Sequence, residues 1–171
     1  MLATLFILLI GLSGSNSGEC PPEWKPPEVH GVSLGMTVRQ VQSRLPFLSF
    51  SPRDKYDVQW SYLSIPRGPL QKRRLPRVAF LEMWFWKNRL VRYNVEYFGS
   101  TNLEGITRFM NAVETHFNLS NAKRLSAHSY QCGNVIVLVA DTLKRTLSLR
   151  DAEGEKVLNR RVDESYGLKP Q

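Results

Sequence analysis

Apolar residues recur at helical spacing in the middle of the chain. Between residues 103 and 117 they lie three or four positions apart, at Leu103, Ile106, Met110, Val113 and Phe117. This spacing places one apolar stripe along about four turns of an α-helix. Thr101 and Glu104 have the spacing of a capping box, in which two side chains satisfy backbone N–H groups at the start of a helix. We therefore predict a helix that begins at Thr101 and lies across a sheet.

A second, shorter helix is predicted near residue 37. Thr37 and Gln40 form another capping box, and Met36 and Val41 have the spacing of a hydrophobic staple. Pro46 ends the helix, because proline cannot donate a helical hydrogen bond and its ring clashes with the preceding turn.

Much of the remaining chain is rich in β-forming residues, with apolar and polar positions alternating as in half-buried strands. Three such segments precede the long helix, at residues 58–62, 78–86 and 90–98. Four follow it, at residues 125–131, 134–140, 145–150 and 155–161. The order is helix, three strands, helix and three or four strands, which also fits a tandem α-β-β-β repeat. We predict an α+β fold of two layers, in which an antiparallel sheet carries the two capped helices on one face.

The two long segments before the helix form a predicted hairpin around residues 87–89. Opposed residues of an antiparallel pair share a face, so the length of the loop decides which side chains lie together. A two-residue loop mixes apolar and charged groups on each face. A three-residue loop or an equivalent bulge makes one face wholly apolar, and we predict one of these two. The pairs are then Phe85 with Val91, Met83 with Tyr93 and Leu81 with Val95.

The opposite face of this hairpin is the candidate partner-binding surface. It combines aromatic and charged side chains: Phe80, Trp84, Trp86, Arg92 and Glu96. Large aromatic residues and Arg are typical of binding hot spots at protein interfaces. Trp84 lies opposite Arg92, which allows a cation–π contact. In the alternative interpretation other parts of the chain cover these side chains, because exposed aromatic patches are uncommon on monomers.

The N-terminus has the pattern of a secretion signal. Residues 2–12 are almost wholly apolar and small residues follow them, whereas a helix that crosses a bilayer needs roughly 20 apolar residues. No Lys or Arg precedes the apolar run, so an uncleaved anchor stays open as an alternative. We predict export to the periplasm, the cell envelope or the medium. The predicted divisions are a signal peptide at 1–19, a Pro-rich extended arm at 20–30, one domain at 31–162 and a flexible tail at 163–171.

Two cysteines, Cys20 and Cys132, are present in the sequence. In an oxidising compartment they can form one disulfide, which pins the arm to the domain. Cys20 also follows the apolar segment closely, as the lipid-bearing residue of a lipoprotein does, but Ser17 and Glu19 depart from the lipoprotein signal. Lipidation of Cys20 excludes the disulfide, and two free thiols remain the third alternative.

The net charge of +8 narrows the choice of partners. A basic protein suggests nucleic acid, but an exported protein seldom meets it, so anionic lipid, an envelope polymer or an acidic protein fits better. The densest basic segment is a Pro- and Gly-containing loop between two strands. It carries Arg67, Lys72, Arg73, Arg74 and Arg77. A second hypothesis is therefore that this loop binds anionic lipid or polymer, and the alternative is a solvated loop that protects strand edges.

Three common metal-binding, redox and nucleotide-binding patterns are absent from the sequence. It has no HExxH, CxxC or P-loop pattern, and its three histidines are scattered. We therefore expect no enzyme, no cofactor and no metal. An unrecognised hydrolase remains as an alternative, with His128 and Cys132 as the residues that would serve it.

One short segment resembles a known family. Gly31 to Thr37 reads Gly-Val-Ser-Leu-Gly-Met-Thr, and Val41 and Leu45-Pro46 follow it. This is similar to the Gly-Met-Thr-x-x-x-Val helix start of the SmpA/OmlA family of small envelope lipoproteins, which also occurs in domains similar to the β-lactamase-inhibitor fold. The resemblance implies helices packed on one face of an antiparallel sheet, protein binding on exposed surfaces and no catalysis.

Overall fold

The computed structural model describes residues 20–21, 23–64, 75, 77–99, 103–139 and 145–166. The predicted signal peptide and most of the basic loop lie outside these residues. The helices are α1 (Val38–Arg44), α2 (Leu103–His116) and α3 (Ala152–Ser165). The strands are β1 (Val58–Ser64), β2 (Val78–Trp86), β3 (Arg89–Tyr97), β4 (Lys123–Ser126), β5 (Ser129–Cys132), β6 (Val135–Val139) and β7 (Arg145–Asp151).

All seven strands form one antiparallel sheet, which confirms the predicted α+β class. Their order across the sheet is β1-β2-β3-β7-β6-β5-β4. The two halves of the chain each contribute a run of consecutive strands, and β3 and β7 join the runs at the centre. The second half has four strands and a closing helix, so the element order departs from a simple α-β-β-β repeat.

The central hairpin turns through two residues and then contains a bulge. Lys87 and Asn88 both have positive φ angles, 48° and 62°, as a two-residue hairpin turn requires. Phe85 pairs with Leu90, so the predicted pair of Phe85 with Val91 is wrong. Val91 is the extra residue of a bulge, which restores the predicted register further along the hairpin. A bulge was one of the two alternatives predicted from the sequence, the other being a three-residue loop.

The bulge also decides how the two faces of the sheet are filled. On the inner face Leu81, Met83 and Phe85 pack with Tyr93 and Val95 and are fully buried. This is the apolar face predicted from the sequence. Val91 turns to the outer face, where it joins a second, smaller cluster.

Helices α1 and α2 cover the inner face. The capping box of α1 is present, because the Thr37 hydroxyl accepts from the backbone N–H of Gln40 and the Gln40 side chain accepts from that of Thr37. Helix α2 buries Ile106 and Val113, but Leu103 is 75% exposed and does not belong to the predicted stripe.

The last predicted strand, residues 155–161, is wrong: α3 spans Ala152–Ser165. Asp151 caps this helix by accepting a hydrogen bond from the backbone N–H of Gly154 at 2.8 Å, and two carboxylates in the first turn suit the positive end of the helix dipole. The predicted turn at residues 151–154 is thus the start of the helix. The helix also continues past Asp163, where the flexible tail was predicted to begin.

The segment predicted as one strand at 125–131 is two strands, β4 and β5, which pair with each other. The turn between them falls at residues 127–128. Strand β4 forms one edge of the sheet and is exposed throughout. Its Lys123 and Arg124 are the kind of charged side chains that discourage pairing with another chain.

Helix α3 lies on the outer face of the sheet, opposite α1 and α2. Its Leu158 packs with Val58 and Val91 in the second cluster. Gly154 touches the bulge so closely that a Cβ there would overlap the Val91 side chain. No helix among the described residues is long and apolar enough to span a membrane.

The disulfide and one tryptophan anchor the N-terminal arm. Cys20 and Cys132 form a disulfide, with their Cα atoms 5.3 Å apart. Of the three alternatives for Cys20, the structure therefore has the disulfide. Trp24 donates its indole N–H to the Phe117 carbonyl at 3.0 Å. The arm therefore spans from β5 to the end of α2.

The close approach of α3 to the bulge predicts that residue 154 must be glycine. Gly154→Ala should lower the free energy of unfolding, because overpacking against Val91 costs about 1–3 kcal/mol. Alanine's better helix propensity returns at most about 1 kcal/mol. Urea denaturation measures the difference, with Asn159→Ala on the exposed side of α3 as the control. If Gly154→Ala is as stable as the control, α3 does not pack on Val91.

Candidate functional site

The predicted partner-binding face is the outer face of the sheet, and α3 occupies part of it. Trp84 stacks on Trp60 of β1, with ring centroids 5.7 Å apart. The Arg161 guanidinium from α3 lies 5.1 Å from the Trp60 ring and 5.3 Å from the Trp84 ring. The predicted cation–π partner of Trp84 was Arg92, so the structure replaces it with Arg161. Trp84 is thus half-buried between Trp60 and α3.

Arg92 is also committed to α3. Its Nε and one terminal nitrogen each donate to a different oxygen of the Glu155 carboxylate at 2.6 Å. The two side chains are only 19% and 11% exposed. Arg150 adds a contact of 3.5 Å to the same carboxylate. The predicted partner residue Arg92 therefore holds a helix of its own chain.

A row of polar side chains crosses the outer face beside α3. The Asn94 amide donates to Glu82 and accepts from the Ser148 hydroxyl. Arg150 donates to the same hydroxyl at 2.9 Å, which links the row to Glu155. Because each group has a partner within the row, strands β2, β3 and β7 carry a fixed pattern of polar groups.

A second anchor ties the far end of α3 to the segment before β1. Arg161 donates to Asp54, whose carboxylate also accepts from the backbone N–H groups of Tyr56 and Val58. Burial alone would raise the pKa of Asp54, but these hydrogen bonds and the positive charge of Arg161 outweigh it and lower that pKa. Asp54 thus stays ionised, and the anchor holds at neutral pH.

Three predicted partner-binding residues remain: Trp86, Phe80 and Glu96. Trp86 is half-buried at the edge of the second cluster, with the Lys87 ammonium 4.7 Å from its ring. Phe80 and Glu96 pair with each other across β2 and β3 and are half-buried. They lie at the opposite end of the hairpin from its turn.

Sequence reasoning missed Tyr62. It lies on β1 opposite Glu82 and is 69% exposed. Its position was foreseeable in part, since Tyr62 shares a face with Trp60 by the two-residue period of a strand. We call Tyr62, Phe80 and Glu96 the open patch.

Most of the predicted anion-binding loop lies outside the residues that the structure describes. Arg67, Lys72, Arg73 and Arg74 lie outside the described residues, and only Arg77 is seen. Arg77 is exposed, has a φ of 67° and accepts a hydrogen bond from Phe98 through its carbonyl. Anion binding by this loop stays a prediction.

A cleft of about 480 Å³ opens on the inner side of the sheet, between the arm and α2. Apolar side chains from the arm, α2, Phe117 and β7 line most of it, together with Glu28, His30, His116 and Tyr97 of β3. The His30 Nε2 lies 3.3 Å from the Tyr97 hydroxyl. The sequence held no signal for this cleft, because its walls come from four separate segments.

The residues suggested for a hydrolase do not come together. Cys132 is bonded to Cys20 and carries no free thiol, and His128 lies in the turn between β4 and β5. Among the described residues no three His, Cys, Asp or Glu side chains are grouped as metal ligands would be.

Comparison with protein-family models, curated protein sequences and solved structures gave no match to this chain. The resemblance to the SmpA/OmlA family therefore stays a prediction that rests on one short motif.

The Arg92–Glu155 pair supports a stability prediction. Arg92→Ala leaves a mostly buried carboxylate without its main partner, and breaking such a pair costs about 3–5 kcal/mol. Because Arg150 remains near Glu155, we expect about 2–3 kcal/mol at neutral pH. Arg108→Ala, which breaks the exposed ion pair with Glu104, should cost under about 1 kcal/mol.

Thermal and urea denaturation of both variants measure these two losses. Equal losses for Arg92→Ala and Arg108→Ala would contradict the structural role of Arg92.

Proposed function

We propose that this protein is a non-catalytic binding module of an exported, oxidising compartment that recognises a protein partner through its open patch. The observation that carries the proposal is the 69% exposure of Tyr62 on an otherwise well-packed sheet face. Tyrosine supplies a large contact area at a low cost in conformational entropy, and it is enriched at binding hot spots.

The surroundings of Tyr62 suit this role. Phe80 lies diagonally across from it on β2, within reach of an aromatic side chain. Glu82 and Glu96 add carboxylates on the same face. Aromatic rings beside fixed polar groups favour a partner that presents apolar and basic side chains together.

Helix α3 contributes by making the face rigid. It covers Trp84 and Arg92, and through Glu155 it is joined to the polar row that ends at Glu82. A surface that is already ordered loses little conformational entropy on binding. The partner-binding residues of this proposal are therefore Tyr62, Phe80 and Glu96, whereas Trp84, Trp86 and Arg92 serve the platform beneath.

Two observations support export. The Cys20–Cys132 disulfide is typical of proteins in oxidising compartments. The apolar run at residues 2–12 has the length of a signal-peptide core. Both agree with an envelope or secreted location, which the resemblance to SmpA/OmlA lipoproteins also implies.

Site-specific photocrosslinking tests the proposed surface. A benzophenone amino acid replaces Tyr62 or Phe80 in the protein expressed in its own host, and irradiation should give a discrete adduct with one protein from both positions. The matched control replaces Leu103, which is equally exposed but lies on α2. It should not give this adduct.

A second change checks that the adduct reports binding. Tyr62→Ser should reduce the adduct formed from position 80 at least several-fold, while the melting temperature stays close to that of the unchanged protein. No adduct at either position, or the same adduct from position 103, would reject the open patch as the binding surface.

A further inference from the structure

The cleft between the arm and α2 has the composition of a small-molecule site. Its volume of about 480 Å³ lies within the range of ligand pockets, roughly 300–1,000 Å³. Phe109 and Val113 of α2 line it together with Phe117, which follows the helix, and Leu147 of β7. Such sites combine apolar walls with a few polar groups that orient the ligand.

His30 and Tyr97 supply those polar groups. The imidazole Nε2 and the phenol oxygen are 3.3 Å apart, at the long end for a hydrogen bond. A neutral imidazole carries one donor and one acceptor nitrogen, and a hydroxyl carries two lone pairs. Both groups therefore retain capacity to bond a third polar group placed between the walls.

A tight backbone turn holds His30 in this position. His30 and Gly31 have φ angles of 54° and 77°, and Val29 and Val32 exchange two hydrogen bonds of 2.8 and 3.0 Å around them. This is a tight two-residue turn in which His30 adopts the left-handed conformation, which side-chain-bearing residues seldom adopt. The turn fixes His30 beside Tyr97 at the cleft.

The charges around the cleft select against ions. Burial lowers the pKa of His30 and raises that of Tyr97 to about 12, so both are neutral at neutral pH. Glu28 stands at the mouth, where its carboxylate is 3.9 Å from Arg44 and both side chains are more than half exposed. The polar pair offers hydrogen bonds without a full charge, so it would not compensate an ionised ligand for its lost hydration.

We propose that this cleft binds a small, uncharged and largely apolar molecule whose one polar group is held by His30 and Tyr97. The site lies on the opposite side of the sheet from the open patch, so it is independent of the proposed protein partner. The disulfide-tethered arm forms one wall, which places the ligand between the arm and the domain.

Four related probes test this selectivity on the intact, disulfide-bonded protein: naphthol, naphthalene, naphthoate and naphthylmethylammonium. Calorimetry and amide chemical shifts should show saturable binding of naphthol, with shifts at Val29, Tyr97, Val113 and Leu147. Naphthoate and naphthylmethylammonium should bind at least ten-fold more weakly. Absence of saturable naphthol binding, equal binding of the ions or shifts confined to other regions would overturn the proposal.

Two variants separate the walls from the polar pair. Ala112→Phe, on the α2 side of the cleft, should block naphthol, and Asn111→Phe on the exposed side of the same helix should not. Tyr97→Phe should reduce the preference for naphthol over naphthalene by about three- to ten-fold, the range for one hydrogen bond. Melting temperatures confirm that each variant is folded. Unchanged naphthol binding in Ala112→Phe, or an unchanged preference in Tyr97→Phe, would contradict the site.

Discussion

The ion pair between Arg92 and Glu155 fixes the third helix on the outer face of the sheet, and the layout of that face follows from it. The two bonds of 2.6 Å run between side chains that are mostly buried. A buried charge without its partner is costly, so the pair specifies one position for α3. In that position Gly154 rests on the bulge and Arg161 covers the two stacked tryptophans.

This arrangement gives the two faces of the sheet different roles in our account. On the outer face α3 packs against Trp84 and Arg92 and leaves Tyr62 exposed. The inner face carries the main core, which α1, α2 and the disulfide-tethered arm cover. The arm and α2 do not close completely over the sheet, and the cleft near His30 and Tyr97 is the space between them.

The local pattern of apolar and polar residues was sufficient to predict the inner face of the sheet and the helix α1. The register that gives residues 78–98 one wholly apolar face predicted the buried side of the hairpin, and the capping box at Thr37 predicted α1. The outer half depends on contacts between distant segments. The apolar residues in 155–161 do not by themselves distinguish a helix from a strand. An aspartate such as Asp151 is favoured in turns as well as at the start of a helix. The helix α3 is therefore defined by its packing on Val91. Without α3, Trp84 and Arg92 were interpreted as a binding surface. The strand period places Tyr62 on the same face as Trp60, but its exposure and the cleft depend on packing between distant segments.

Native-state hydrogen exchange tests most directly whether α3 is an integral layer of the fold. We expect the amides at residues 157–161 to open with a free energy within about 1 kcal/mol of that for Tyr93 at the centre of the sheet, since both then exchange by the same cooperative unfolding. If those amides exchange almost without protection while Tyr93 remains protected, α3 is a frayed terminal helix. The outer face would then be open, and Trp84 and Arg92 would return as candidates for partner binding.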